Sequence, residues 1–255
     1  MTRALRAVLI LLATLFSMPA SAQLKVIISG GFSGAYEQLV PEFERTSGTK
    51  IETGSGASQG SGPQTIAAQL ARGVPADVVI MSREGLGELI AAGRIAAGSD
   101  ADLAQVPIGV AVRAGAAKPD VSTVEAFKRV VTGARLVAVP ASTSGIFLVK
   151  EVFPRLGITD KVNVKMTPRG SGATEMVANG EADIGLLPVS EILHAHGVVH
   201  AGVIHKDIQL IQIFSAAAVA GSKQPDAARR LIDFLSSDRA APAITKAGME
   251  PLGRR

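Results

Sequence analysis

Residues 25–34, KVIISGGFSG, decide the fold, because an apolar run leads directly into a loop of glycine and serine. Three similar loops follow strand-like runs and precede helix-like stretches: residues 54–62 (GSGASQGSG), 141–145 (ASTSG) and 169–174 (RGSGAT). Glycine lets the backbone turn tightly and approach a ligand. Free amides at the start of a helix favour an anion. Two such loops in each half of the chain predict an anion-binding cleft between two lobes.

Strand-like and helix-like segments alternate along almost the whole chain, which predicts an α/β architecture with largely parallel sheets. Leu24–Ile28 and Val78–Met81 are typical of buried strands, and each precedes a stretch with one apolar helical face. A second series begins at Ile108–Val112. Towards the end, Ile208–Val219 is extended and apolar, and Pro225–Leu252 predicts two helices.

The first 22 residues have the pattern of a secretory signal peptide. Arg3 and Arg6 give a charged start, Ala7–Phe16 is apolar, and Ala20-Ser21-Ala22 is a small-residue cleavage site. The apolar part is shorter than the roughly 20 residues that span a membrane. We therefore expect a periplasmic protein that is cleaved after Ala22.

Composition excludes several classes of protein. The chain has no cysteine, which excludes disulfides, thiolate metal sites and a lipid anchor on a terminal cysteine. Its net charge is +4, with Trp absent and one Tyr present, so neither nucleic-acid binding nor base stacking is expected. The chain is long enough to bury one large core or two modest ones.

Catalytic and metal sites are not expected from the motifs. Four histidines cluster in HAHGVVHAGVIH, residues 194–205, but carboxylates at metal-ligand spacing are absent and the segment is predicted to be a surface turn. Ser33 and Ser144 have no evident histidine base, and no nucleophile elbow is found. Asp77 and Asp183 are interpreted as turn caps before strands rather than as an acid–base pair. The chain is therefore expected to bind its ligand without catalysis, cofactor or metal.

The mature sequence resembles the type II periplasmic solute-binding proteins of ABC importers, and most closely their molybdate-binding group. The matching pieces are KVIISGGFSGAYEQLVPEFERTSG, IAAQLARGVPADVVIMS, GARLVAVPASTSGIFLVKEVFPRLG, MVANGEADIGLLPVSE and ARRLIDFLSSDRAAPAITKAGMEPL. The resemblance implies two α/β lobes with a mostly parallel mixed sheet in each, joined by two crossover strands. Lobe I would be residues 23–105 plus 214–255, and lobe II residues 106–213.

The resemblance also implies where the ligand binds. Serines of the first two loops and backbone amides of the last two would hold an oxyanion, and the family's tyrosine falls near Pro188, which has neither hydroxyl nor N–H. Arg169 adds a guanidinium fork suited to a carboxylate. The expected ligand-binding residues are Gly31, Phe32, Ser33, Ser58, Ser61, Ser144, Arg169, Gly170 and Ser171.

The ligand expected first is an oxyanion of the molybdate or tungstate type, held in a cleft that closes by a hinge. The first alternative is a small di- or tricarboxylate, because Pro188 removes a donor and Arg169 adds one. The second alternative is a ligand sensor on the same fold. A monomer that delivers its anion to an ABC importer permease, without a nucleic-acid partner, is the expected assembly.

Overall fold

The computed structural model describes residues 23–253, so the predicted signal peptide, residues 1–22, lies outside the described residues. The described part is an α/β structure, as the alternation predicts. No helix within it is both long enough and apolar enough to cross a membrane.

Ten strands of the described chain form one curled, mixed sheet. In chain order the strands are β1 (Leu24–Ile28), β2 (Ile51–Ser55), β3 (Val78–Ser82), β4 (Ala101–Arg113), β5 (Val137–Pro140), β6 (Val164–Thr167), β7 (Ile184–Pro188), β8 (Val198–Val203), β9 (Ile211–Ala218) and β10 (Glu250–Pro251). They are arranged in the order β2-β1-β3-β9-β4-β7-β5-β6, and β8 and β10 also pair with β4.

Helices cover the sheet. They are α1 (Gly30–Ser47), α2 (Ile66–Ala71), α3 (Arg83–Ala91), α4 (Val124–Gly133), α5 (Thr143–Phe147), α6 (Phe153–Arg155), α7 (Gly170–Ala178), α8 (Val189–Leu193), α9 (Pro225–Leu235) and α10 (Ala241–Lys246). One wider π-helical turn, Leu148–Val152, joins α5 to α6. The predicted C-terminal helices are thus present, and β10 follows them.

Two long strands cross the middle of the sheet and join its halves. β4 and β9 run antiparallel, with Ala101 opposite Ala216 and Pro107 opposite Ile211. On one side β9 pairs with β3 of the parallel set β1–β3, and on the other β4 pairs with β7 of the parallel set β5–β7. These are the two crossover strands of the predicted fold. Ligands of open α/β sheets bind beyond the carboxyl ends of such parallel strands.

Each half of the sheet has its own apolar core. The larger cluster of one half includes Leu24, Phe32 and Phe214 and continues to Met249, so it draws on both ends of the described chain. The buried members of the other half's larger cluster all lie between Ile108 and Ile208. This packing supports a division into two lobes, while the precise lobe boundaries stay a prediction.

The histidine-rich segment is not the surface turn that its composition predicts. His194 follows the last turn of α8, and His200 lies in β8, which pairs antiparallel with β4. The alternation of valine with smaller and polar residues in Val198–Val203 suits a strand, and pairing with the long β4 outweighs the glycine at position 202. Within residues 23–253, no group of three or more His, Asp and Glu side chains is placed to hold a metal ion.

Candidate functional site

A cleft of about 330 Å³ lies where the loops after five parallel strands meet β9. Its lining draws on both halves of the sheet. The residues are Ser29, Gly30, Gly31, Gly56, Ala57, Ser58, Pro140, Ser142, Ser144, Arg169, Gly170, Pro188, Glu191, Gln212 and Phe214. The lining combines hydroxyl, amide and charged side chains with glycine backbone, which suits a polar ligand.

Four helices begin at the cleft, and none of them is capped by a side chain. The residues before α1, α5, α7 and α8 are Ser29, Ser142, Arg169 and Pro188, and no side chain among them accepts a hydrogen bond from its own helix. Three of the helices that begin elsewhere are capped: Thr65, Ser82 and Thr123 each accept from a first-turn amide. The amides at the cleft are therefore open to an anion, which the helix dipoles favour.

Polar contacts hold the two halves of the sheet together around the cleft. Nη1 of Arg169 donates to Oγ of Ser55 over 2.7 Å, and the N–H of Gln59 donates to Oγ of Ser142 over 3.3 Å. Beneath them, the hydroxyls of Ser82 and Thr143 are hydrogen-bonded over 2.7 Å. Each contact joins the half with β1–β3 to the half with β5–β7, so the two halves meet across the cleft and the structure is that of a closed cleft.

Helix α8 carries a carboxylic acid into this closed site. Glu191 lies on its first turn, and a Cβ added to Gly30 would stand 2.6 Å from its Oε2. A Cβ added to Gly170 would overlap the same oxygen. With glycine at both positions, the carboxyl group lies between the starts of α1 and α7, where a Cβ at either position would displace it. Burial raises the pKa of Glu191 to about 7, although the positive charge of Arg169 lowers it.

The raised pKa of Glu191 makes stability depend on pH. Its folded-state pKa, about 7, is above the usual 4.5, so between these values the folded protein holds a proton that the unfolded chain has lost. Stability therefore falls as the pH rises through this window, and the loss is complete above pH 7. At pH 8.5 we expect Glu191→Gln to raise the free energy of unfolding by about 2 kcal/mol and the melting temperature by several degrees. At pH 4.5 we expect the variant to melt like the parent.

Calorimetric scans at the two pH values would test this. Glu181→Gln is the control, since Glu181 is exposed and its variant should melt like the parent at both pH values. An equal shift of the Glu191 variant at pH 4.5 and pH 8.5 would contradict the assignment.

The structure brings five of the predicted binding residues into the cleft: Gly31, Ser58, Ser144, Arg169 and Gly170. Ser33 and Ser171 instead line a wider adjoining cavity, which shares Gly30, Arg169 and Glu191 with the cleft. The Oγ of Ser58 already accepts a hydrogen bond from the N–H of Ser82 over 2.9 Å, so this hydroxyl is only partly available to a ligand.

Phe32 and Ser61 lie away from the lining. Phe32 is fully buried in the core of the first half, since the inward face of α1 needs an apolar side chain there. Ser61 is exposed on the outer part of its loop. Neither side chain lines the cleft, so a contact of Phe32 or Ser61 with the ligand stays a prediction.

Among the lining residues outside the predicted set, Ser29, Glu191 and Gln212 each left a signal in the sequence. Ser29 stands between a buried strand and two glycines, where a hydroxyl faces the start of a helix. Glu191 comes three residues after a fully buried strand, where a carboxylate reaches the sheet's binding edge. Gln212 is an amide inside the otherwise largely apolar strand β9. Pro188, expected to replace a tyrosine of the site, does line the cleft.

Comparison with known proteins identifies the family. The chain belongs to the bacterial extracellular solute-binding proteins, whose family model matches residues 24–250. A curated relative, the aconitate isomerase of Pseudomonas sp, is 37% identical over 253 residues, which is 98% of this chain and 96% of that protein.

Solved structures of low identity share the fold. The periplasmic molybdate-binding protein of Azotobacter vinelandii is 19% identical with a TM-score of 0.67, over 89% of this chain and 98% of that one. The sulfate-binding protein SubI of Mycobacterium tuberculosis is 20% identical with a TM-score of 0.72, over 90% and 87% of the two chains. They confirm the resemblance to type II periplasmic solute-binding proteins, molybdate-binding ones included.

Proposed function

We propose that the cleft binds aconitate or a closely related tricarboxylate and interconverts its cis and trans forms. The observation that carries the proposal is Glu191, a carboxylic acid with a pKa of about 7 in the cleft of a solute-binding fold. A site built only to hold an anion gains nothing from a carboxyl group of the protein, because that group repels the anion when it ionises. A group that must take up and return a proton near neutral pH has such a pKa.

The reaction needs one group that moves a proton. Aconitate has a methylene carbon between a carboxylate and a carbon–carbon double bond. Glu191 as carboxylate takes a proton from that methylene, and the electron pair of the broken C–H bond spreads over the three-carbon system. Glu191 then returns the proton to the carbon at the other end, where a new C–H bond forms as the double bond moves. The composition of the ligand is unchanged, so the step needs neither cofactor nor redox partner.

The rest of the cleft suits the charge of this ligand. Arg169 supplies a guanidinium that can hold one carboxylate with two parallel hydrogen bonds. The open first turns of α1 and α7 add amide donors from both halves of the sheet. Donors fixed before the reaction also stabilise the negative charge that develops when the proton leaves. The relative at 37% identity, named aconitate isomerase, supports the same substrate class.

The pH dependence of the reaction is a direct test. Because Glu191 must be ionised to accept the first proton, kcat/KM for trans-aconitate should rise about tenfold per pH unit below 7 and level off above it. The measurement is the NMR signal of the cis isomer formed by the purified mature protein. A protein that binds trans-aconitate but never forms the cis isomer at any pH would leave binding alone as the function.

A second candidate is delivery of a small oxyanion of the molybdate type to an ABC importer, without catalysis. Four open helix starts around one compact cleft favour it, since backbone amides suit a tetrahedral oxyanion as well as a carboxylate. In this case the ligand would shift the protein between open and closed forms. A thermal shift with molybdate or tungstate, and none with tricarboxylates, would select this candidate.

In both candidates the mature chain works in the periplasm, and the monomeric state stays a prediction. The family is extracellular, and the predicted signal peptide supports export. In the isomerase the hinge closure sequesters the ligand from water during the proton transfer. In the importer protein the closed form would be the one that docks on the permease.

A further inference from the structure

The wall of the cleft holds two buried polar side chains without a hydrogen-bond partner. Oγ of Ser29 and Oε1 of Gln212 are both unpaired, and each residue is only 4% exposed. Among the described residues the third such atom is Nε2 of His200, which does not line the cleft. Buried polar atoms are almost always paired in folded proteins. A hydroxyl and a side-chain amide left free in one cleft indicate that both groups are available to a ligand.

Ser29 is held rigidly with its hydroxyl free. Its backbone N–H donates to the carbonyl of Ile80 over 2.8 Å, which fixes the residue at the end of β1. Its side chain does not turn back to cap α1, an 18-residue helix. The hydroxyl and the first-turn amides of this long helix are therefore left free at one corner of the cleft, where the helix dipole favours a negative charge.

Gln212 reaches the cleft from the crossover strand β9. Phe214, two residues further and on the same face of the strand, has its ring where a Cβ of Gly31 would stand. This packing brings the inward face of β9 alongside the start of α1. The amide of Gln212 can present its nitrogen or its oxygen by half a turn about its last torsion, so it can donate to an anion at that corner.

We propose that Ser29, Gln212 and the first-turn amides of α1 form a second carboxylate socket, separate from Arg169, that selects ligands with an additional carboxyl group. The inference rests on the proposed function and assigns part of its specificity. Arg169 comes from the loop after β6, whereas the socket is built from β1, α1 and β9. Two anion sites on different elements hold a polycarboxylate at two points. A ligand without the carboxyl group that fits the socket is held at only one of these points.

The test is calorimetric titration with four ligands. Trans-aconitate is compared with glutaconate, mesaconate and itaconate, each of which lacks one of its three carboxyl groups. Ser29→Ala and Gln212→Leu should each weaken trans-aconitate at least tenfold. One dicarboxylate, the one without the carboxyl group that the socket holds, should bind the parent and both variants alike. Ser236→Ala, which removes a buried hydroxyl just after α9, is the control and should bind all four ligands like the parent.

The melting temperature without ligand separates a binding role from a structural one. Ser29→Ala removes an unpaired buried hydroxyl, so its ligand-free form should melt no lower than the parent. A lower melting temperature with an equal loss of affinity for all four ligands would overturn the socket. Trans-aconitate affinity within twofold of the parent in both variants would overturn the socket and leave the proposed function. A parent that binds no trans-aconitate overturns the proposed function and the socket with it.

Discussion

Glu191→Gln should lower kcat for the interconversion of cis- and trans-aconitate by at least a thousandfold, within the range of 10²–10⁴ that positioned acids and bases contribute. The amide has the shape of the protonated acid but cannot accept a proton, so the first step fails. Binding should survive or tighten, because the variant no longer places an ionised carboxylate beside a polyanion. The experiment measures turnover by NMR and the dissociation constant by calorimetry on the same preparation.

Glu181→Gln is again the matched control, since it makes the same change on an exposed part of the chain. Its turnover should equal that of the parent. Full turnover in the Glu191 variant would remove this residue from the chemistry. Loss of turnover and of binding together would instead assign it a part in shaping the cleft.

Arg169→Ala should weaken trans-aconitate by about a hundredfold, since hydrogen bonds to charged groups contribute roughly 1.5–3 kcal/mol and the guanidinium makes two of them at a carboxylate. Arg169→Lys keeps the charge but loses the planar fork, so its affinity for trans-aconitate should lie between those of the parent and Arg169→Ala. The loss of the Ser55 contact adds to the effect of Arg169→Ala, because that hydrogen bond helps to hold the cleft closed.

Arg229→Ala serves as the control, because Arg229 is an exposed arginine on α9 whose side chain lies 3.8 Å from Asp233. It should bind like the parent. A thermal shift with molybdate that persists in Arg169→Ala, with no response to tricarboxylates in either protein, would establish the importer candidate in place of the isomerase. Equal tricarboxylate affinity in parent and Arg169→Ala would place the ligand elsewhere.

The fold could be predicted from the sequence because its signals are local and periodic. Apolar runs such as Val78–Met81 are long enough to mark strands, and the loops that follow them carry their own turn residues. The prediction for the histidine-rich segment was wrong because β8 depends on a partner strand, β4, that lies more than 80 residues away. No local pattern reveals that pairing.

The cleft could be predicted only in part, for a related reason. Arg169 and Gly170 lie in a loop whose composition already indicates an anion site. Glu191 and Gln212 gain their meaning from burial and from neighbours distant in sequence, such as Gly30 and Gly31. A glutamate at the start of a short helix is usually a solvated residue, and only the surrounding backbone shows that this one is not. The same applies to Phe32, whose position beside the loop glycines hides that it faces the core.

The arrangement of the two cores sets an order of assembly. Strand β3 pairs with β9, which lies some 135 residues further along the chain, and the core that contains Leu24 also includes Met249. The half between Ile108 and Ile208 closes its core within a stretch of about 100 residues, which is shorter than the separation of β3 and β9. Contacts between segments as far apart as β3 and β9 are slow to form. We therefore expect the second half to fold first in refolding, and the first half to fold only when the C-terminal helices pack against it. The binding competence of a refolding chain would then report the slower event.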